Sequence, residues 1–180
     1  TAKISTGQAD CIIAGGTESM SLVPTAGWKT MPNYDYARDN GDYYLSMGLT
    51  AEQVAQDYKV SREDQDAFAL RSHTRAINAI QNGYFKDGIL PIKVKEVYLN
   101  DKNKRAEREL IVDTDEGPRA DTSAAVLAKL PAVFAQGGSV TAGNSSQTSD
   151  GAAFTVVMSE RLAQKLNITP LGRLVACTSA

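Results

Sequence analysis

Residues 141–158 constrain the fold most. Thr141-Ala142-Gly143-Asn144-Ser145-Ser146-Gln147-Thr148-Ser149-Asp150-Gly151 is a run of hydroxyl, amide and carboxyl side chains punctuated by glycine, and it leads straight into the apolar segment Ala152-Ala153-Phe154-Thr155-Val156-Val157-Met158. A short apolar run bounded by turn residues reads as a strand buried on both faces, the pattern of an α/β sheet. A polar loop at the mouth of such a strand is where α/β folds commonly hold ligands. Gly143 and Gly151 allow tight turns and close backbone approach to a ligand. A loop that hydrogen-bonds only to itself has the same composition, so the run alone leaves both readings open.

The flanking segments extend this pattern. Residues 9–14 form a second short apolar run, ended by Gly15-Gly16, and read as a buried strand with Cys11 as a small core residue. Ser159 opens a helix through Leu162, Ala163 and Leu166, Pro170 stops it, and residues 171–180 read as a last strand. Strand, helix, strand at these lengths predicts a βαβ unit and a parallel sheet. Residues 22–45 have no period but hold Trp28, Tyr34, Tyr36, Tyr43 and Tyr44, which predicts a loop wrapped over another surface. Thr50 with Gln53 reads as a capping box. Ser61 with Asp64 opens a second helix whose apolar face is Phe68, Ala69, Ala76, Ile77 and Ile80, closed at Asn82-Gly83. His73, the single histidine, falls among Arg71, Ser72, Thr74 and Arg75 on the solvated side. Residues 92–98 and 109–112 read as strands, with the charged run 100–109 as a solvated turn between them. A short helix is predicted over 123–130.

Net charge is -2, so nothing points to nucleic acid or an anionic membrane surface. No apolar run is long enough to span a bilayer. Cys11 and Cys177 make no disulfide framework, and a cytoplasmic, reduced protein is the default reading. Asp113, Asp115 and Glu116 lack the spacing of a calcium loop and read as a surface turn, so no metal site is expected. The chain opens on Thr1 and stops within a strand-like run, and the expectation is an internal piece of a longer protein.

Three stretches in order carry a resemblance. Thr141-Ala142-Gly143-Asn144-Ser145-Ser146, followed by Ser149-Asp150-Gly151-Ala152-Ala153, resembles the thiolase loop that contacts the pantetheine arm of coenzyme A. Ala14-Gly15-Gly16-Thr17-Glu18-Ser19-Met20-Ser21 resembles the family's AGG-x-ESMS run, and Met47-Gly48-Leu49-Thr50-Ala51-Glu52 resembles its MG-x-TAE run. The resemblance implies an α/β fold: part of an N-terminal core domain over 1–21 and 140–180, with mixed or parallel strands, and an inserted, mainly helical coenzyme A-binding loop domain over 22–139.

The resemblance also implies site residues. Ser146 bonds the pantetheine amide, Ala142 and Gly143 line a narrow tunnel with Phe134 packing along it, Met47 bounds the acyl pocket, and Arg119 meets the nucleotide end. A guanidinium suits that end because its fork donates two parallel bonds to phosphate. Ser46 stands where many biosynthetic members carry a histidine that reaches the adenine, which leans the reading toward the degradative branch. The family's catalytic motifs are Cys-Ser-Ser-Gly, Gly-His-Pro, Cys-Gly-Gly-Gly and Asn-Glu-Ala-Phe, and none of them occurs in the chain. No catalytic residue is therefore assigned, and the chain alone is expected to be inactive. Coenzyme A and acyl-CoA are implied as substrates, with no covalently bound cofactor. A homo-oligomer, dimer or tetramer, is implied for the parent, with no nucleic-acid or membrane partner. Two functions follow: a 3-ketoacyl-CoA thiolase of fatty-acid β-oxidation, running also as the reverse Claisen condensation, or a non-catalytic acyl-CoA-binding or lipid-transfer module on the same fold.

Overall fold

The computed structural model describes residues 1–178. By contacts the chain divides into two compact units, one from Thr1–Met31 with the stretch from Thr148 onward, the other Pro32–Gln147.

The first unit holds α1 (Ala2–Ser5), β1 (Cys11–Ser19), β4 (Asp150–Met158) and α6 (Glu160–Lys165). β1 pairs with β4 antiparallel, from Cys11 opposite Met158 to Ser19 opposite Asp150. The parallel βαβ expectation is corrected here: both strand pairings among the described residues are antiparallel. The reason is that α6 leads into no described strand. Residues 171–178 have no regular structure, and the end of the expected strand, 179–180, lies outside the described residues.

β1 also runs through Gly15-Gly16 instead of ending there, because the Phe154 ring lies where a Gly15 side chain would project. Gly15 is needed for cross-strand fit, not for a turn, whereas a side chain at Gly16 would meet open space. Cys11 and Cys177 are both free and exposed, so the core placement of Cys11 is corrected too. A two-stranded sheet covers neither of its faces, and Ile13 is 72% and Phe154 65% exposed. At the far end, Ser159 caps α6, the Asp10 carbonyl accepts the Ser159 N–H at 2.9 Å, and the Asp10 carboxylate takes Arg161 at 2.7 and 2.8 Å.

The second unit holds α2 (Tyr34–Asp39), a 3-10 turn (Gly41–Tyr44), α3 (Met47–Asp57), α4 (Arg62–Gln81), β2 (Ile92–Leu99), β3 (Arg105–Val112) and α5 (Ala124–Leu127). Part of the stretch read as an aperiodic loop is thus helical. Asn33 caps α2 through the Tyr36 N–H, and Tyr36, Tyr43 and Tyr44 meet edge to face at 4.8 and 5.2 Å. α3 starts four residues earlier than the Thr50 box implied, with Ser46 at the N-cap and its hydroxyl accepting the Leu49 N–H. Thr50 is then interior and bonds back to the Ser46 carbonyl at 3.1 Å.

α4 starts as expected, with the Asp64 N–H donating to Ser61 Oγ at 3.1 Å and Glu63 and Asp64 at the positive end of the helix dipole. It closes at Asn82 with Gly83 at φ +72. Its buried residues are Asp66 and Ala69, whereas Phe68 is 64% exposed. β2 and β3 form an antiparallel hairpin. Half of the charged run assigned to its turn lies in β3, because Lys93–Glu109, Lys95–Glu107 and Glu96–Arg108 pair across the strands. Only Asn100 to Lys104 turn the chain, with Asn103 in the left-handed region at φ 53.

Candidate functional site

The polar run beginning at Thr141 is folded onto the helices of the second unit by two buried carboxylates. Glu52 of α3, 5% exposed, accepts the backbone N–H of Ser139 at 2.9 Å, that of Val140 at 2.9 Å and the Ser139 hydroxyl at 3.2 Å. Burial alone would raise the Glu52 pKa, but these three donors outweigh it and hold the carboxyl below its ordinary value. Asp66 of α4 receives Arg62 Nε at 2.8 Å and Asn144 Nδ2 at 3.0 Å. The same guanidinium donates to the carbonyls of Leu127 and Leu130 at 2.7 and 2.9 Å, tying α5 to α4.

The loop then bonds to itself. Thr141, fully buried, donates its N–H to Asn144 Oδ1 at 2.7 Å, its Oγ1 accepts the Gly143 N–H at 3.1 Å, and its carbonyl accepts the Ser145 hydroxyl at 2.6 Å. Gly143 has Leu127 and Leu130 packed where a side chain would project. The hydroxyls and amides of 139–145 are therefore consumed in holding the loop's shape. The self-satisfied reading of the loop holds for this part, and the reason is desolvation: a buried polar group without a partner is costly.

Beyond Ser145 the character changes. Ser146 is exposed, and its hydroxyl makes one long bond of 3.3 Å, to the Gln147 carbonyl. The run 142–147 lines an open groove of about 780 Å³ together with Phe68, Ser72 and His73 of α4 and with Gly117, Pro118, Arg119, Asp121 and Thr122. Four of the seven sequence-predicted site residues line it: Arg119, Ala142, Gly143 and Ser146. The other three gather at the start of α3. Ser46 caps that helix, Met47 follows it and is 75% exposed, and the Phe134 ring lies over Gly48, where no side chain fits.

Arg119 forks onto Asp121, Nε to Oδ1 at 3.2 Å and Nη2 to Oδ2 at 2.9 Å, with both side chains largely exposed. The fork holds the Asp121 carboxyl below its ordinary range and raises Arg119 further. The Arg119 backbone N–H donates to His73 Nδ1 at 3.1 Å. His73 is thus half-buried in the groove wall, not on a solvated face, which sequence reading missed because the partner is 46 residues away. Asp66 was equally unmarked, although a signal existed: it lies four residues after Arg62 and three before Ala69, on one helical stripe.

A groove lined by one exposed guanidinium, an exposed hydroxyl with a single long bond, and small residues suits a slender ligand with an amide and an anionic group. Among the described residues no cluster of His, Cys, Asp and Glu could hold a metal, and no helix is long and apolar enough to cross a membrane.

Residues 1–161 match the model of the family described as "Thiolase, N-terminal domain". The chain is 50% identical over 169 residues to a 3-ketoacyl-CoA thiolase of Bacillus subtilis (strain 168), covering 94% of this chain and 43% of that protein. It is 40% identical to an acetyl-CoA acetyltransferase of Syntrophomonas wolfei, covering 98% of this chain and 46% of that protein. Among solved structures it resembles the dimeric peroxisomal thiolase of Saccharomyces cerevisiae with a TM-score of 0.78 and 35% identity, over 96% of this chain and 42% of that one. The chain thus spans less than half the length of these relatives.

Proposed function

Taking as premise that the chain belongs to the thiolase family, we propose that the protein carrying it is an acyltransferase that cleaves 3-ketoacyl-CoA with coenzyme A, or runs the reverse condensation of acetyl-CoA. Within it, residues 32–147 hold the coenzyme A. The observation that carries this reading is the groove that brings Arg119 together with Ala142, Gly143 and Ser146. The Ser146 hydroxyl donates to an amide of the pantetheine arm. Ala142 and Gly143 keep the passage narrow enough to strip water from the arm, and Arg119 takes a phosphate at the nucleotide end. Met47 bounds the acyl pocket and Phe134 packs along the pantetheine arm, while Ser46 replaces the histidine that reaches the adenine in many biosynthetic members; none of the three lines the groove itself. The nucleophilic thiolate, the base that activates it and the donors for the developing oxyanion are outside these residues.

The relatives named as a thiolase and as an acetyltransferase favour an enzyme over a lipid-transfer module. A homo-oligomer is part of this reading, since a neighbouring structure is described as dimeric. So is a cytoplasmic location, although that same neighbour is described as peroxisomal. The test is thiolysis of acetoacetyl-CoA, followed by loss of the substrate's enolate absorbance. The full-length protein should turn over, and residues 1–180 alone should not. A full-length protein that binds acyl-CoA without turnover would replace this reading with the transfer module.

A further inference from the structure

The Arg119 fork is already occupied. Asp121, two residues on, offers a carboxylate to both Nε and Nη2 at 3.2 and 2.9 Å. That is the two-point geometry in which a guanidinium receives phosphate. Three observations define what this pair can do. The backbone of Arg119 is anchored, because its N–H donates to His73 Nδ1 at 3.1 Å. The side chains are not anchored: Arg119 is 69% and Asp121 72% exposed, and among the described residues the fork is the one polar contact of the Arg119 side chain. Both residues line the groove beside Ser146, and Arg119 is the single Lys or Arg among the described lining residues.

We propose that Asp121 is a specificity-determining residue: an internal anion that fills the Arg119 fork while the groove is empty and is displaced by a phosphate of the incoming ligand. The inference rests on the reading of the groove as a coenzyme A site. A carboxylate and a phosphate cannot both take the same two N–H groups, so the ligand exchanges one anion for another on a guanidinium whose root stays fixed by His73. Exposed ion pairs are weak, so the exchange is cheap for a phosphate. A ligand lacking a phosphate has nothing to offer the fork and leaves Asp121 in place. The pair thereby discriminates by charge: it lowers the affinity for the anionic ligand a little and excludes non-specific contact between Arg119 and neutral solutes.

The experiment is calorimetric binding to the full-length protein at low salt, with coenzyme A and with pantetheine as probes. Asp121→Asn should tighten coenzyme A roughly three- to tenfold and leave pantetheine unchanged. Asp121→Glu, which keeps the carboxylate, should behave as the parent does. In an Arg119→Ala background the gain from Asp121→Asn should vanish, because there is no fork left to vacate. If the gain persists there, Asp121 acts through its general field and the displacement idea is overturned. If Arg119→Ala weakens coenzyme A while Asp121→Asn leaves it unchanged or weaker, the inference fails and the groove reading stands. If Arg119→Ala leaves coenzyme A unaffected, the phosphate role of Arg119 fails, and the inference with it.

Discussion

Of the Arg–Asp pairs in the second unit, two do opposite things. Arg62–Asp66 is an i, i+4 pair on α4 with side-chain exposures of 23% and 9%. Arg119–Asp121 joins the same two groups, through a two-point fork, at exposures of 69% and 72%. In the buried pair each Asp66 oxygen accepts a hydrogen bond, Oδ2 from Arg62 Nε and Oδ1 from Asn144 Nδ2, and Arg62 Nη2 donates to the carbonyls of Leu127 and Leu130. In the exposed pair the Asp121 carboxylate meets, besides the fork, only its own backbone N–H and the field of His73 among the described residues. Desolvation sets the difference. A buried charge must keep its partners, because losing one leaves an uncompensated ion, whereas an exposed pair trades readily for water or another anion. The buried pair thus serves architecture and the exposed pair is available for recognition.

The largest effect expected follows from the buried member. Asp66→Ala leaves Arg62 facing an empty site and releases the Asn144 amide. Breaking such a pair costs about 3 kcal/mol. In the full-length protein, amide exchange at Thr141 and Gly143 should accelerate along with the fall in stability. Protection unchanged from the parent would mean that the loop is held by Glu52 alone.

Glu52 comes next. Glu52→Gln keeps the shape but loses the charge that accepts the Ser139 and Val140 N–H groups, at a cost of about 1–3 kcal/mol. The pH dependence has a definite sign. The folded pKa of Glu52 lies below its unfolded value of about 4.3, so its contribution is complete above that value and is lost as pH falls through the folded pKa. Acid titration of unfolding in the parent and in Glu52→Gln should converge at low pH. Parallel curves would remove Glu52 as the acid-sensitive anchor.

The family, the α/β class and the helix starting at Ser61 were legible because each rests on local chemistry: three motif runs in order, a cap three residues before its acceptor's partner, a glycine at a left-handed position. What was not legible depends on distant partners. Nothing near Asp66 announces Asn144, and nothing near His73 announces Arg119. Strand direction was misread because a short apolar run such as 152–158 has no polarity of its own; its antiparallel partner lies more than a hundred residues earlier in β1. Cys11 was misplaced in a core because apolar neighbours signal burial only when something covers them. Within the candidate site, the hydroxyl residues of 141–147 read alike, yet Thr141 is fully buried and Ser146 exposed. Composition does not distinguish a hydroxyl consumed by the fold from one offered to a ligand.

Ser146 sharpens the comparison on the ligand side. Its hydroxyl has no structural bond to lose beyond the long one to Gln147. Ser146→Ala should therefore leave stability alone and weaken coenzyme A by about 0.5–1.5 kcal/mol, up to roughly tenfold in KM. A fall in stability with unchanged KM would move Ser146 to the structural half of the loop.

The smallest effect is expected where the comparison is sharpest, at the stability of the exposed pair. Asp121→Ala removes the same group as Asp66→Ala, from a guanidinium of the same kind, at nearly the same distance of 2.9 against 2.8 Å. If contact geometry set the energy, losing the two-point Arg119–Asp121 fork would cost at least as much as losing the single Arg62–Asp66 contact. If desolvation sets it, Asp121→Ala costs about 0–1 kcal/mol, and most of that vanishes in 1 M salt, where the Debye length shrinks to about 3 Å. Asp66→Ala should be nearly indifferent to salt, because its partners lie out of reach of mobile ions. Thermal unfolding of both variants of the full-length protein at low and high salt decides between the two accounts. A loss at Asp121 as large as that at Asp66 would mean that Arg119 is bound into the fold. It would then not be free to exchange its carboxylate for a phosphate.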